Sequence, residues 1–277
     1  MLENWRTTNF PGEEMSAEQP GRLLTEERRR EITNLLDRHG RVTVAELKKV
    51  FGVSAVTARS DLDALHANGV LVRSHGGGIK PIVTGPDYPL KIRETIHHDE
   101  KQRIARAAVE LIRPFQTVII GSGTTCAELA TQLRRATPEH LTIITYALNV
   151  ALRLADVPNV SLVMIGGILR QVSNAFVGPQ AESMMGALHA DHCFLGTVGI
   201  DPDVGLTTLD ILEAQLNTRM LRAARESTVL ADSTKFGHRS LAVIGDSSRL
   251  QRLITDAGAP EEALDAFRAR GIEVIVT

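Results

Sequence analysis

The most constraining feature of this chain begins near residue 100 and runs to the C-terminus. There, short β-branched apolar runs alternate with longer stretches of helical periodicity. Runs at 116–121, 141–145, 160–165, 192–196, 227–231, 241–244 and 272–276 predict strands. Helical pattern fills 101–113, 124–136, 147–155, 179–188, 209–225 and 260–269. This alternation predicts a mostly parallel sheet flanked by helices, a Rossmann-like α/β domain over 100–277. In such sheets ligands sit beyond the carboxyl ends of the strands, so the loops that follow the strands are where a site belongs.

The segment 23–80 is organised differently. Thr25 followed by Glu26 and Glu27 predicts a helix start, with a capping hydroxyl and acids in the first turn. Ile32, Leu35 and Leu36 form its apolar stripe and Gly40 ends it. Thr43 caps a second, short helix carrying Val44, Leu47 and Phe51, and Gly52-Val53 is a tight turn. Ser54 caps a third helix, in which Ala58, Leu62 and Leu65 face inward and Val56, Arg59, Ser60 and Asp63 face out. Asn68-Gly69 stops that helix. Residues 70–75 read as a strand, followed by the glycine turn Gly76-Gly77-Gly78.

Three short helices and a β-wing make a winged helix-turn-helix, whose third helix enters the major groove by its N-terminal half. Ser54, Thr57, Arg59 and Ser60 are the expected contacts on that helix, with Arg73 and His75 on the wing. Arg59 is the candidate base reader, because a guanidinium pairs bidentately with guanine.

Charge fits this division. The whole chain carries 31 Lys/Arg and 33 Asp/Glu, a net charge of −2. Residues 21–80 hold eleven Lys/Arg against seven Asp/Glu, an excess of +4. A basic block on a slightly acidic remainder suits an attached DNA-binding module. Aromatics are 4%, which argues against a platform that stacks single-stranded bases. Residues 1–22 mix Pro, Gly, Glu and Ser without periodicity and are expected to be a disordered arm. Pro81 through Pro86 opens a linker expected over 81–99.

No apolar run approaches the roughly 18 residues of a membrane helix. No basic, apolar leader opens the chain, and Cys126 and Cys193 lie in apolar stretches as reduced thiols, so a cytoplasmic protein is expected. His189-Ala190-Asp191-His192-Cys193 matches no zinc spacing, and neither a metal nor a cofactor is expected.

In the C-terminal domain the first post-strand loop is Gly121-Ser122-Gly123-Thr124-Thr125. Small residues let backbone N–H groups approach an anion, hydroxyls add donors and the helix N-terminus adds positive potential. The same loop also reads as a tight strand-to-helix turn capped by Thr124. Thr145-Tyr146, Gly166-Gly167 with Arg170, and Asp232 through Gly237 follow later strands. Lys235 is placed either to neutralise a phosphate or to stand in solvent. Glu213 is placed either to accept hydroxyl protons or to complement the helix dipole.

The run Arg28–Gly78, above all Val53-Ser54-Ala55-Val56-Thr57-Ala58-Arg59-Ser60-Asp61-Leu62 with Gly69, Arg73 and His75-Gly76-Gly77, resembles the DNA-binding domain of the DeoR family of bacterial transcriptional regulators. That family usually has two arginines before Asp-Leu, and here the second is Ser60. Residues 85–277 resemble the family's effector-binding domain, which is similar to ribose-5-phosphate isomerase. The matches are Ser122 to Thr125, Thr145, Gly166-Gly167, Gly178, Gly199-Ile200-Asp201, Glu213-Ala214 and Asp232 to Gly237.

The resemblance implies a repressor of a carbohydrate-catabolism operon, closest to the amino-sugar regulators. It implies a homodimer or homotetramer on double-stranded operator DNA, released by a phosphorylated sugar. Three positions depart from the family: Gly121 and Val198 replace acids, and Tyr146 replaces Asn. Loss of a carboxylate at Val198 removes a base that sugar isomerisation needs, so no enzyme activity is expected. The alternatives are an isomerase-like enzyme with an attached DNA-binding domain, or a constitutive repressor whose pocket Gly121 and Tyr146 have altered.

Overall fold

The computed structural model describes residues 24–67, 70–74, 76–79, 90–136, 139–245 and 249–277. The arm expected over 1–22, Asn68-Gly69, His75 and residues 81–89 of the expected linker lie outside the described residues.

The N-terminal unit runs α1 (Thr25–His39), β1 (Arg41–Thr43), α2 (Val44–Phe51), α3 (Ala55–Ala67), β2 (Val72–Ser74) and β3 (Gly77–Ile79). Local chemistry sets most of its boundaries. Thr43 Oγ1 accepts the Glu46 N–H and the Glu46 carboxylate accepts the Thr43 N–H, a reciprocal cap on α2. Gly40 and Gly52 end α1 and α2 in the left-handed region, at φ 69° and 62°. Thr25, however, is not a cap. Leu24 holds the N-cap position, and the Glu27 carboxylate reaches back to accept its N–H at 2.9 Å, the half of a capping box that the third helical residue supplies.

The wing is larger than the sequence suggested. β3 is the centre of an antiparallel sheet ordered β1-β3-β2, so the glycine run is itself a strand. Side chains would not fit there: a Cβ on Gly77 would lie 2.2 Å from the Val42 carbonyl oxygen. The module's core is Ile32, Leu36, Leu47, Ala58, Leu62 and Leu65 with Val42, Val70 and Leu71.

The second unit continues with α4 (Leu90–Thr95), α5 (His98–Val109), β4 (Thr117–Ile120), α6 (Thr124–Arg135), β5 (Leu141–Thr145), α7 (Leu148–Leu154), β6 (Val160–Met164), β7 (Ile168–Arg170), β8 (Ala175–Val177) and α8 (Pro179–Met185). It ends with β9 (Ala190–Gly196), β10 (Gly199–Asp201), β11 (Gly205–Thr208), α9 (Ile211–Ala223), β12 (Ala224–Leu230), β13 (Ala242–Val243), β14 (Arg252–Thr255), α10 (Glu261–Ala269) and β15 (Glu273–Val276). The described part of the expected linker, 90–99, therefore holds α4 and the start of α5.

Seven parallel strands form the main sheet in the order β15-β14-β12-β9-β4-β5-β6. Alternate residues along each strand feed opposite faces. Val118 and Ile120 pack with Ile104 of α5, Leu129 of α6 and Val150 of α7. Ile119 between them packs with Met185 of α8, Leu216 of α9 and Phe267 of α10. Covering both faces with helices explains why these strands read as continuous apolar runs.

The run 241–244 does not join this sheet. Its core, β13, pairs antiparallel with β11 in a small side sheet ordered β10-β11-β13. The main sheet instead takes β14, headed by a charged residue. Arg252 stands between Glu273 of β15 at 2.7 Å and Glu226 of β12 at 3.5 Å, a cross-strand trio that hides a strand among ions. Among the described residues no helix is long and apolar enough to cross a membrane.

Candidate functional site

Strand order reverses at β4. The chain leaves it toward β5 and β6 on one side, and later builds β9, β12, β14 and β15 on the other. The carboxyl ends of β4 and β9 therefore diverge into a crevice, the place where open parallel sheets bind ligands. A cavity of about 550 Å³ occupies it, with Ser122–Thr125 after β4 on one wall and Gly196–Val198 after β9 on another. The two chains approach closely: a Cβ on Gly121 would lie 2.7 Å from Leu195 Cδ2, and one on Gly196 would lie 3.0 Å from the Ser122 carbonyl oxygen. The small residue at 121 thus fits its neighbour Leu195.

No side chain caps α6. Its N-cap is Gly123, at φ 101°, and Thr124 is already inside the helix. Of the two sequence readings of this loop, the Thr124-capped turn is the one the structure does not show. The first amides of α6 remain available at the cavity wall, where the helix dipole favours an anion.

One end of the cavity carries a hydrogen-bonded chain. Ser122 Oγ donates to Glu213 Oε1 at 2.5 Å. The Tyr146 hydroxyl lies 2.9 Å from Ser122 Oγ and 2.7 Å from Asn217 Oδ1, and its single proton serves one of them at a time. Burial, with the charge of Glu213 nearby, pushes the Tyr146 phenol well above its ordinary pKa, so it stays a neutral donor. The bulk of Tyr146 packs with Ile144, Ile165 and Ala175 in the core and does not fill the cavity. Arg170 closes this end, 3.3 Å from Asp210 Oδ2 and 3.9 Å from Glu213 Oε2. Asp210 also caps α9 by accepting the Glu213 N–H, which fixes the first turn of the helix that presents Glu213 and Asn217.

The other end is basic. Lys101 is buried on α5 and donates to the carbonyls of Arg93 and Ile96, at 2.6 Å each. Burial pulls its ammonium down to about 8, against the opposing pull of Asp232. Asp232 is buried as well. Burial pushes its carboxyl up, but Lys235, a hydrogen bond from Thr234 and Lys101 bring it below its ordinary value. Its Oδ2 accepts no hydrogen bond among the described residues and lies 3.9 Å from Lys235 Nζ. Across the whole lining, Arg93, Lys101, Arg170, Lys235 and Arg239 stand against two carboxylates, Glu213 and Asp232.

Of the residues singled out in the sequence, Ser122, Gly123, Thr124, Thr125, Arg170, Glu213 and Lys235 line the cavity. Tyr146 reaches its wall through the hydroxyl. Thr145, Gly166 and Gly167 do not line it. Thr145 Oγ1 accepts the Ala147 N–H, a turn bond after β5. Gly167 leads into the β7–β8 hairpin, where a Cβ would meet the Val177 carbonyl oxygen at 2.6 Å. Lys101, Asn217 and Arg239 were not singled out. Lys101 had a signal: it shares the helical spacing of Ile104, Ala105 and Ala108, which puts a lysine on a buried face.

In the N-terminal unit Ser54 Oγ accepts the Thr57 N–H at the start of α3. Arg59 and Ser60 are exposed, and Arg59 makes no hydrogen bond or ion pair among the described residues. Arg73 is engaged instead: Nη1 donates to the Gly77 carbonyl at 2.8 Å and Nε lies 3.0 Å from Asp63, tying the wing to α3. Asp61 is buried between Arg28, with Nε at 2.6 Å, and Arg29, with Nε at 3.2 Å, which joins α1 to α3.

Comparison with known proteins agrees with both units. The model of the DeoR-like helix-turn-helix domain matches residues 28–80, and that of the DeoR C terminal sensor domain matches 96–257. The chain belongs to the DeoR family. A regulator of Escherichia coli O157:H7 named for repression of the aga operon is 39% identical over 91% of this chain and 94% of its own length. The transcriptional regulator GolR of Listeria innocua is 32% identical over 90% of this chain and 97% of its own. Among solved structures, ribose 5-phosphate isomerase A of Methanocaldococcus jannaschii is a distant likeness, with a TM-score of 0.37 and 18% identity over 50% of this chain and 55% of that one. As a member of this family, the chain is a DNA-binding transcriptional regulator with a sensor domain.

Proposed function

We propose that this regulator represses a carbohydrate operon and that a phosphorylated sugar in the cavity at the β4/β9 crevice releases it from its operator. The observation that carries the reading is the cavity itself: it sits at the topological switch point, and five Lys/Arg face two carboxylates in its lining. The phosphate belongs at the amides of α6 with Lys235, and sugar hydroxyls at the Ser122–Glu213–Asn217 end, where acceptors and donors are both fixed.

Sugar-operon control is carried over from relatives such as the lactose phosphotransferase system repressor of Lactococcus lactis, 31% identical over 85% of this chain and 92% of its own. Operator contact falls to Ser54, Thr57, Arg59 and Ser60 on α3, with Arg73 and His75 on the wing. A homodimer or homotetramer in the cytoplasm would present paired α3 helices to two half-sites.

The site binds rather than converts. Val198 lines the cavity and brings no carboxylate to it. Asp201 is committed elsewhere: it accepts from Arg239 Nε at 2.8 Å and from the Asp203 and Val204 amides.

The test is the melting temperature of the full chain against sugar phosphates and their unphosphorylated parents. Binding at a hundred times Kd stabilises by about 2.7 kcal/mol, so a rise with phosphorylated members alone is the expected result. Lys235→Ala is expected to abolish that rise. A flat panel for the wild type overturns the reading.

A further inference from the structure

We propose that Lys101 couples the cavity to the DNA-binding module by holding helix α4 against the cavity wall until an anion competes for its ammonium. This inference rests on the reading of the cavity as an anion site.

Helix α4 is the first described element after the chain leaves the DNA-binding module. It has six residues, too short to persist in water without outside contacts. Its buried Leu90 packs it on the domain, and polar attachments add to this. Lys101 Nζ grips the carbonyls of Arg93, on α4, and of Ile96, just beyond it. Arg93 Nη2 donates to the Val172 carbonyl in the β7–β8 turn at 3.0 Å. Glu94 pairs with Arg153 at 2.9 Å. Arg93, Ile96, His97 and Lys101 all line the cavity, so the first of these attachments is part of the wall a ligand touches.

The ammonium of Lys101 is poised between two sets of acceptors. At present it serves neutral carbonyls at the C-terminal end of α4. The charges it feels are Asp232 and Glu100, and the cations Lys235 and Arg93. A phosphate entering beside Lys235 offers it an ionised oxygen, which adds the attraction of opposite charges to a bond whose donor is already ionised. Once the ammonium turns, the two carbonyls lose their donor. The junction can then move, because His97 joins α4 to α5 in the left-handed region at φ 52°, a conformation that non-glycine residues hold only with support.

The experiment is hydrogen exchange of the full chain, followed over the α4 peptides with and without inorganic phosphate, alongside the melting temperature. Phosphate is expected to speed α4 exchange in the wild type by about ten- to hundredfold, the worth of one hydrogen bond from a charged donor. Lys101→Met is expected to exchange as fast without phosphate as the wild type does with it. Lys101→Arg, which keeps donors for both carbonyls, is expected to restore protection and the phosphate response. A purely structural lysine would lower the melting temperature in Lys101→Met and leave the phosphate dependence of α4 in place, which overturns the proposal. So does a phosphate-induced melting shift in the wild type without any change at α4. No melting shift at all overturns the cavity reading, and the coupling with it.

Discussion

Helix α3 of this regulator is held by charge, and Asp61→Ala is the perturbation that exposes the fact. The Asp61 side chain is 2% exposed and takes Arg28 Nε on Oδ2 at 2.6 Å, with Arg28 Nη2 and Arg29 Nε on Oδ1 at 3.2 Å each. Removing one partner of a buried pair costs about 3–5 kcal/mol, because a guanidinium stays buried without its counter-charge. Small domains are stable by about 5–15 kcal/mol in total, so the tri-helical unit comes close to unfolding. Asp61→Asn keeps one acceptor but loses the charge and turns an NH2 donor toward an arginine N–H, for at least about 1.5–3 kcal/mol. Hydrogen exchange over α1 and α3 reads these losses directly. The melting of the C-terminal unit serves as the internal control that the sensor domain is intact. Replacing Arg28 and Asp61 together by apolar residues, Arg28→Met with Asp61→Leu, is expected to recover part of the loss, since the buried guanidinium leaves with its carboxylate while the half-buried Arg29 keeps Glu26. An Asp61→Ala variant with α3 protection within 1 kcal/mol of the wild type would refute the reasoning.

Two further predictions concern the wing and acid stability. Gly77→Ala places a Cβ 2.2 Å from the Val42 carbonyl oxygen and 3.0 Å from Thr43 Cα, so β1 and β3 are forced apart. The expected cost is about 1–3 kcal/mol, seen as faster exchange of wing amides and weaker DNA binding; an unchanged wing would contradict the close approach. His192 is buried, stacks on Phe194 with ring centroids 4.1 Å apart and lies 2.8 Å from Thr228 Oγ1, and burial lowers its pKa to about 4. Unfolded, it titrates near 6.5. The unfolded chain therefore takes the proton first, and stability present above about 6.5 declines as pH falls toward 4, by at most about 3 kcal/mol. Urea unfolding against pH is expected to show this acid-side decline in the wild type and a shallower one in His192→Gln, and parallel curves would refute the assignment.

What the sequence made legible follows from the range of the interactions involved. Thr43, Ser54, Gly40 and Gly52 set boundaries through bonds within a few residues, so the helices of the DNA-binding unit could be read in place. The main sheet was legible where strands are uniformly apolar. It was hidden at β14, where Arg252 pairs with acids on two neighbouring strands, and falsely extended at 241–244, whose register belongs to β11. The cavity was legible as far as the rule of strand ends reaches: Ser122–Thr125, Arg170, Glu213 and Lys235 converge because each follows a strand or opens a helix at the crevice.

Thr145 ends β5 and Gly166-Gly167 follow β6, but these residues turn the chain, and it is the Tyr146 hydroxyl and Arg170 further on that reach the cavity. Tyr146 looked like an intrusion by its volume, but its ring packs in the core and only the hydroxyl reaches the site. Lys101 and Asp61 share the reason they escaped notice. Each is a charged residue on an inward face, 4% and 1% exposed, and what keeps it there is far off in the chain or made of backbone carbonyls. A charge on a buried stripe is therefore the pattern to pursue in such a sequence. Burying it without partners is too costly to persist, so its presence implies a partner that the local sequence does not show.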